Sequence, residues 1–219
     1  MSAVTEKIDA KLVKQLRDSS GAPMGDCLKA LQESKGNMEE AFVILRKHGM
    51  ASAAKKASRT TNEGAVGNYI HAGGKIGVLL EINCESDFVA RTEDFQELLK
   101  DVAMHIAATD PRYIRKEDVT VEDLEREKEI YRAQAATTGK PAPVIEKIVE
   151  GKMGKFYEEV CLLEQPFIKE QSVTIKDLIA TKVGKLGENI SVRRFARFKV
   201  GDPNWTVAQI KAAEEAPEA

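Results

Sequence analysis

The chain has 219 residues, 42% of them hydrophobic and 31% charged, and 33 basic against 35 acidic side chains leave a net charge of -2. This is a globular composition, long enough for a real core and with no overall pull towards nucleic acid or membrane. Three scattered cysteines (Cys27, Cys84, Cys161) and three scattered histidines (His48, His71, His105) argue against a disulfide framework and give no case for a metal site.

The first residues, MSAVTEKIDAKLVKQL, include Glu6 and Asp9 and no long apolar run, so they read as neither a secretory nor a transit peptide. The run GVLLEI is too short to span a bilayer, and no membrane association is expected. Residues 5–50 carry three helical stripes. The first is Ile8, Leu12 and Leu16; the second is Met24, Cys27, Leu28 and Leu31; the third is Met38, Ala41, Phe42 and Leu45. Asn37 with Glu40 has the spacing of a capping box for the third. Stripes this short bury themselves only against one another, which predicts a three-helix bundle over residues 1–50. Residues 51–64 turn small and basic and read as a linker whose first half extends the third helix.

Over 65–83 the period becomes two. Val66, Asn68 and Ile70 alternate, AGGK breaks the run, and Ile76, Val78, Leu80 and Ile82 alternate again, as in a β-hairpin. A helix over about 92–108, capped by Thr92, carries Phe95, Leu98, Leu99, Val102 and Ile106. Residues 119–160 read as an antiparallel helical hairpin turning at TTGKPAP. A strand is expected at 159–164, a helix at 174–186 and a last strand over 190–200. In that strand Ile190, Val192, Ala196, Phe198 and Val200 are expected on one face and Arg193, Phe195, Arg197 and Lys199 on the other. The tail, 202–219, suggests a short helix that frays. The expected class is α+β: the bundle, then a core of few antiparallel strands over 65–201 that contains the helical hairpin.

Chemistry is sparse. HAGGKIG fails the phosphate-loop pattern, because Tyr69 stands where glycine is needed and Ile76 where a hydroxyl is needed. No nucleophile elbow occurs, and Cys84 reads as a buried structural thiol. No catalytic group, metal site or cofactor is expected. Arg193, Arg194, Arg197 and Lys199 offer phosphate contacts to RNA, an alternative reading as a ribosome-associated module, although stacking aromatics are few. The segment NCESDFVARTEDF sets Asp87 and Phe88 side by side where a strand meets a helix. By itself the pattern favours Phe88 packing inward with Ser86 or Asp87 as cap. The other reading makes Phe88 an aromatic anchor presented to a partner.

LRDSSGAPMGDCLKAL at 16–31 resembles the first signature of the elongation factor Ts family, and EINCESDFVAR at 81–91 resembles the second. The similarity continues through DVAMHIAATDPRYIRKEDV, GKPAPVIEKIVEGKM, EQPFIKE and GENISVRRFARF. Ser86 departs from the threonine usual there, and Pro23 and Gly25 depart in the first signature. The resemblance implies a ubiquitin-associated-like bundle and guanine-nucleotide exchange on elongation factor Tu in the cytoplasm, without covalent chemistry or direct nucleic-acid contact. It implies that Phe88 is a wedge near the partner's Mg2+ and phosphates, with Asp87 beside it and Ser86 and Val89 shaping the turn. Leu16, Arg17 and Met24 would dock the bundle, and His71 would touch a further domain of the same partner. Longer members have two related core subdomains and this chain has one, which points to a homodimer.

Overall fold

The computed structural model describes residues 8–137, 139–203 and 206–209. The fold is α+β, and the described residues divide into two compact units, those within 1–64, 84–95 and 177–191 forming one and those within 65–83, 96–176 and 192–219 the other.

In the first unit, α1 (Ala10–Ser20), α2 (Met24–Glu33) and α3 (Met38–Lys56) form the bundle. Capping explains their starts. Asp9 accepts from the Lys11 N–H at 2.9 Å and Asn37 from the Glu40 N–H at 3.2 Å, satisfying amides that a helix start leaves free. Val13, Leu16, Cys27, Ala30, Leu31, Ala41 and Ile44 make the core, with Ile8, Leu12, Met38 and Leu45 packed against it. Three residues expected in the stripes, Met24, Leu28 and Phe42, are instead exposed. The core takes Cys27, Ala30 and Leu31 from α2 and Ala41 and Ile44 from α3, and Met24, Leu28 and Phe42 fall outside that set. Helix α3 runs on through the first part of the segment read as a linker. In its second half Gly49 meets Gly184 of α8 (Ile175–Leu186), where a Cβ on Gly184 would lie 3.2 Å from the Gly49 Cα. A Cβ there would be tighter than ordinary packing, so glycine lets the two helices approach without a shift. Arg46 adds a 2.8 Å ion pair to Asp177 at the same junction.

In the second unit β1 (Glu63–Ile70) and β2 (Ile76–Cys84) form the hairpin, closed by the His71 N–H to the Ile76 carbonyl at 2.9 Å. Gly73 and Gly74 take φ of 88° and 66° in its turn. With β5 (Ile190–Lys199) and β6 (Thr206–Gln209) they make a sheet of order β1-β2-β5-β6. Val78, Leu80 and Ile82 face inward beneath α5 (Glu93–Thr109). This helix lies close enough that a Cβ on Gly67 would stand 2.5 Å from Leu99. Then α6 (Val121–Ala136) and α7 (Ala142–Val160) form the helical hairpin around Val149, Met153, Phe156 and Val160, and Gly151 and Gly154 do not interrupt α7.

Three expectations are corrected. The strand expected at 159–164 is the end of α7 and a 3-10 turn at Leu162–Glu164, because Val160 and Leu162 are held singly by residues 112–114, with no ladder to extend. The short strands there are β3 (Pro166–Phe167) and β4 (Glu170–Thr174), an antiparallel pair of their own. The tail forms a strand at 206–209, antiparallel to β5, where Arg194, Phe195, Ala196 and Arg197 supply the pairing edge; residues 204–205 and 210–219 lie outside the described residues. In β5 the faces exchange partway: Ile190 and Val192 are buried as expected, Arg193 and Arg194 are both exposed, and thereafter Phe195 and Arg197 are buried while Phe198 and Val200 are exposed. Two consecutive exposed residues reset a period of two.

Candidate functional site

The turn after β2 sits in the first unit. Strand β2 ends at Cys84 and α4 (Asp87–Ala90) starts three residues later, leaving only Glu85 and Ser86 between. Ser86 has extended backbone, and its Oγ accepts from the Val89 N–H at 3.5 Å, so it caps α4. Successive side chains on a helix diverge by about 100°. Val89 and Ala90 turn inward at 8% and 6% exposure, and that rotation leaves Phe88 outside at 78%. The inward packing that the local pattern favoured for Phe88 is therefore not what the chain adopts. Val89, expected among the contacts, anchors the turn from below. Asp87 is partly buried, and Arg91 Nη2 donates to its Oδ2 at 2.7 Å.

The turn is braced on both sides. Thr92 Oγ1 donates to the Val89 carbonyl at 2.8 Å and accepts from the Phe95 N–H at 3.3 Å, which ends α4 and caps α5 together. From the loop after α8, Glu188 accepts the Ser86 N–H at 2.9 Å and the Ser86 hydroxyl at 2.6 Å. One residue on, the Asn189 N–H donates to Glu85 Oε1 at 2.6 Å, and Asn189 Nδ2 donates to the Arg59 carbonyl at 2.8 Å. The Cys84 thiol donates to the Ser86 carbonyl at 3.1 Å. Burial pushes its pKa up and the Glu188 charge adds to that, so the thiolate a nucleophile needs is disfavoured. Below the turn Asp94 pairs with Lys182 at 2.9 Å and Lys185 at 2.7 Å. Burial alone would raise the Asp94 pKa, but hydrogen bonds from the two lysines outweigh it and hold the carboxyl below the usual range.

The sequence reading missed Glu85, Glu188 and Asn189. Glu85 stands over one hundred positions before Glu188 and Asn189, and the only sign of the latter two is a polar pair after Gly187 and before the last apolar run.

The other candidates scatter. Leu16 is fully buried and serves the bundle core, so it cannot meet a partner directly; the other two bundle candidates, Arg17 and Met24, are exposed. Met24 at 47% belongs to a set of exposed apolar side chains on α2 and α3 that includes Leu28, Phe42, Val43 and Met50. His71 is exposed in the hairpin turn, its Nδ1 3.2 Å from the Tyr69 hydroxyl. The four cations of the RNA reading do not form one face. Arg197 is buried, bonded to the Ala107 carbonyl at 3.2 Å and paired with Asp110 at 3.1 Å. Arg194 pairs with Glu81 at 2.6 Å, leaving Arg193 and Lys199 exposed. His105, read as a helix-face residue, is buried and bonded to Gln165 at 3.0 Å. Among the described residues no group of three or more His, Cys, Asp or Glu side chains is placed to hold a metal ion, and no helix is long and apolar enough to cross a membrane.

The sequence is similar to those of known proteins. Residues 29–202 match the family model described as elongation factor TS. The chain is 72% identical over 208 residues to the elongation factor Ts of Koribacter versatilis, covering 95% of both chains. It is 62% identical over 196 residues to that of Solibacter usitatus, with 90% of this chain and 92% of the relative covered. To that of Carboxydothermus hydrogenoformans it is 57% identical over 195 residues, covering 89% and 90%.

Proposed function

The chain belongs to the elongation factor Ts family, and on that premise we propose that it promotes GDP release from elongation factor Tu by pressing Phe88 into the partner beside its Mg2+ and phosphate site. The observation that carries this reading is Phe88 standing 78% exposed on a turn whose neighbours are buried and hydrogen-bonded. A free large aromatic side chain normally finds cover. Here the backbone is tied so that it does not.

No covalent bond changes in this reaction. An exchange factor binds the nucleotide-free GTPase more tightly than the loaded one, and by reciprocity it weakens nucleotide binding by the same factor. Mg2+ demands near-octahedral oxygen ligands, so small displacements around it are costly to the bound state. Each tenfold gain in release takes about 1.4 kcal/mol from the barrier. Burying one Phe contributes roughly 1.5–3 kcal/mol. The wedge therefore accounts for about ten- to a hundredfold, and further acceleration draws on the rest of the interface. Arg17 and Met24, with the exposed apolar side chains around Met24, supply the docking surface of the bundle. Asp87 is the polar companion of the ring, and His71 contacts a further domain of the partner. A translation factor acts where ribosomes work, and we infer a cytoplasmic location. Timing the release of fluorescent GDP from elongation factor Tu, with and without this protein, tests the reading directly.

A specific observation also favours self-association. On the sheet face away from α5, Val66, Ile70, Leu79, Phe198, Val200 and Val207 are all at least half exposed. They border a shallow groove of ≈ 490 Å³ lined in part by Ile70, Leu79, Phe198 and Val200. An apolar sheet face of this kind normally marks an interaction surface. Glu81 and Arg194 pair across β2 and β5 on the same sheet. We propose that the protein is a homodimer through this face.

A further inference from the structure

Ser86 and Glu188 are 102 positions apart, yet two short hydrogen bonds join them. The geometry points to Glu188 as a positioning residue for the aromatic turn, holding Phe88 ready to enter a partner while itself touching none. The inference rests on the exchange reading above and names a group that reading did not use.

Three observations support it. First, both carboxylate oxygens of Glu188 are spent on one residue. Oε2 takes the Ser86 N–H at 2.9 Å and Oε1 takes the Ser86 hydroxyl at 2.6 Å. A carboxylate that accepts twice from one residue fixes its orientation as well as its position. Second, the hydrogen count closes. Ser86 has one hydroxyl proton, which goes to Glu188, and a lone pair remains to accept from the Val89 N–H at 3.5 Å. Glu188 therefore sets the direction of the very oxygen that caps α4, and Phe88 lies inside that single turn. Third, the arrangement is reciprocal. Glu188 takes the amide of residue 86, and Glu85 takes the amide of Asn189 at 2.6 Å. Asn189, buried, is itself fixed through its side chain to the Arg59 carbonyl. Two chain segments thus hold each other by side-chain-to-backbone bonds, the arrangement needed to keep a helix of four residues from fraying.

The consequence is preorganisation. A ring held in place does not have to be ordered when the partner arrives, so binding energy goes into displacing the partner's ligands. A loose ring still docks through the bundle but drives release poorly.

The test measures release of fluorescent GDP from elongation factor Tu over a range of concentrations of the full chain, separating the limiting rate from the half-saturating concentration. Glu188→Ala is expected to lower the limiting rate about tenfold and to move the half-saturating concentration less than about twofold. Glu188→Gln keeps one acceptor and should fall between. The double variant with Phe88→Ala should be no slower than Phe88→Ala alone, since Glu188 acts only through the ring. An unchanged limiting rate in Glu188→Ala, or effects that multiply in the double variant, overturns the inference. Thermal melting checks each variant, and if Glu188→Ala does not fold, Glu188→Gln carries the same comparison. If Phe88→Ala leaves release untouched, the exchange reading itself fails. The clamp is then judged on the free protein by the 19F spectrum of a fluorophenylalanine at position 88. One sharp resonance that broadens or splits in Glu188→Gln supports it, and identical spectra refute it.

Discussion

Asp87 and Arg91 are joined by a 2.7 Å ion pair one helical turn apart, so the acid beside the exposed Phe88 ring is already partnered at the surface. An exposed pair of this kind contributes little to stability, about 0–1 kcal/mol. The two neighbours in the turn therefore have separable roles. Phe88→Ala should slow stimulated GDP release by about ten- to a hundredfold. Its melting midpoint should hardly move, since surface substitutions lie mostly within about 0.5 kcal/mol. Loss of folding in Phe88→Ala would mean that the ring supports its own subunit.

The bundle should act on affinity rather than on the limiting rate. Met24→Asp places a charge among exposed apolar side chains and leaves the core residues Leu16, Cys27 and Leu31 untouched. Titration against elongation factor Tu should give a half-saturating concentration raised about tenfold or more. Leu16→Ala is the contrast: it empties a fully buried site and should cost about 2–5 kcal/mol of stability. A Met24→Asp variant that binds as tightly as the parent would remove the bundle from the docking surface.

The second unit carries its own pH dependence. His105 is sealed among Gln165, the Ile168 amide and Phe167. Burial pushes its pKa below the ordinary 6.5, although the Gln165 hydrogen bond works slightly against that. The folded state therefore keeps it neutral. As pH falls below 6.5, the unfolded chain takes up a proton that the folded chain refuses, so stability is present above that pH and declines below it. From this residue the slope reaches at most about 1.4 kcal/mol per pH unit until the folded pKa is passed. Urea unfolding of the parent and of His105→Gln between pH 7.5 and about 5 checks this. Parallel curves would show that His105 is not the source.

The open sheet face should decide the oligomeric state. Phe198→Glu puts a charge at the centre of the exposed apolar side chains on β2 and β5 without touching Phe195 on the buried face. Sedimentation velocity at micromolar concentration should show a dimer for the parent and a monomer for the variant. A monomeric parent would end the proposal.

Legibility differed from element to element, and the differences have causes. The start of α3 was readable because a cap is a relation between neighbours: Asn37 bonds Glu40 whatever lies elsewhere. The hairpin of β1 and β2 was readable because alternation and a glycine turn are equally local. In β5 the pattern IleSerValArgArgPheAlaArgPheLys is compatible with two phases. Only the pairing of Arg197 with the Ala107 carbonyl and Asp110 selects the one that buries an arginine. Strand β6 was read as a helix because its residues gain their hydrogen bonds from an edge that the sequence nearby does not reveal.

The amino-acid order alone determined which stretches become helix or strand wherever the deciding contacts lie within a few residues, and it marked Phe88 as unusual. Only the tertiary structure decided whether that ring faces in or out. The answer depended on Glu188 and Asn189, more than one hundred residues away, and on whether Val89 or Phe88 found room beneath the turn. Local bonding is written in neighbouring residues; the choice between two local conformations of similar energy is made by whatever distant groups the fold brings against them.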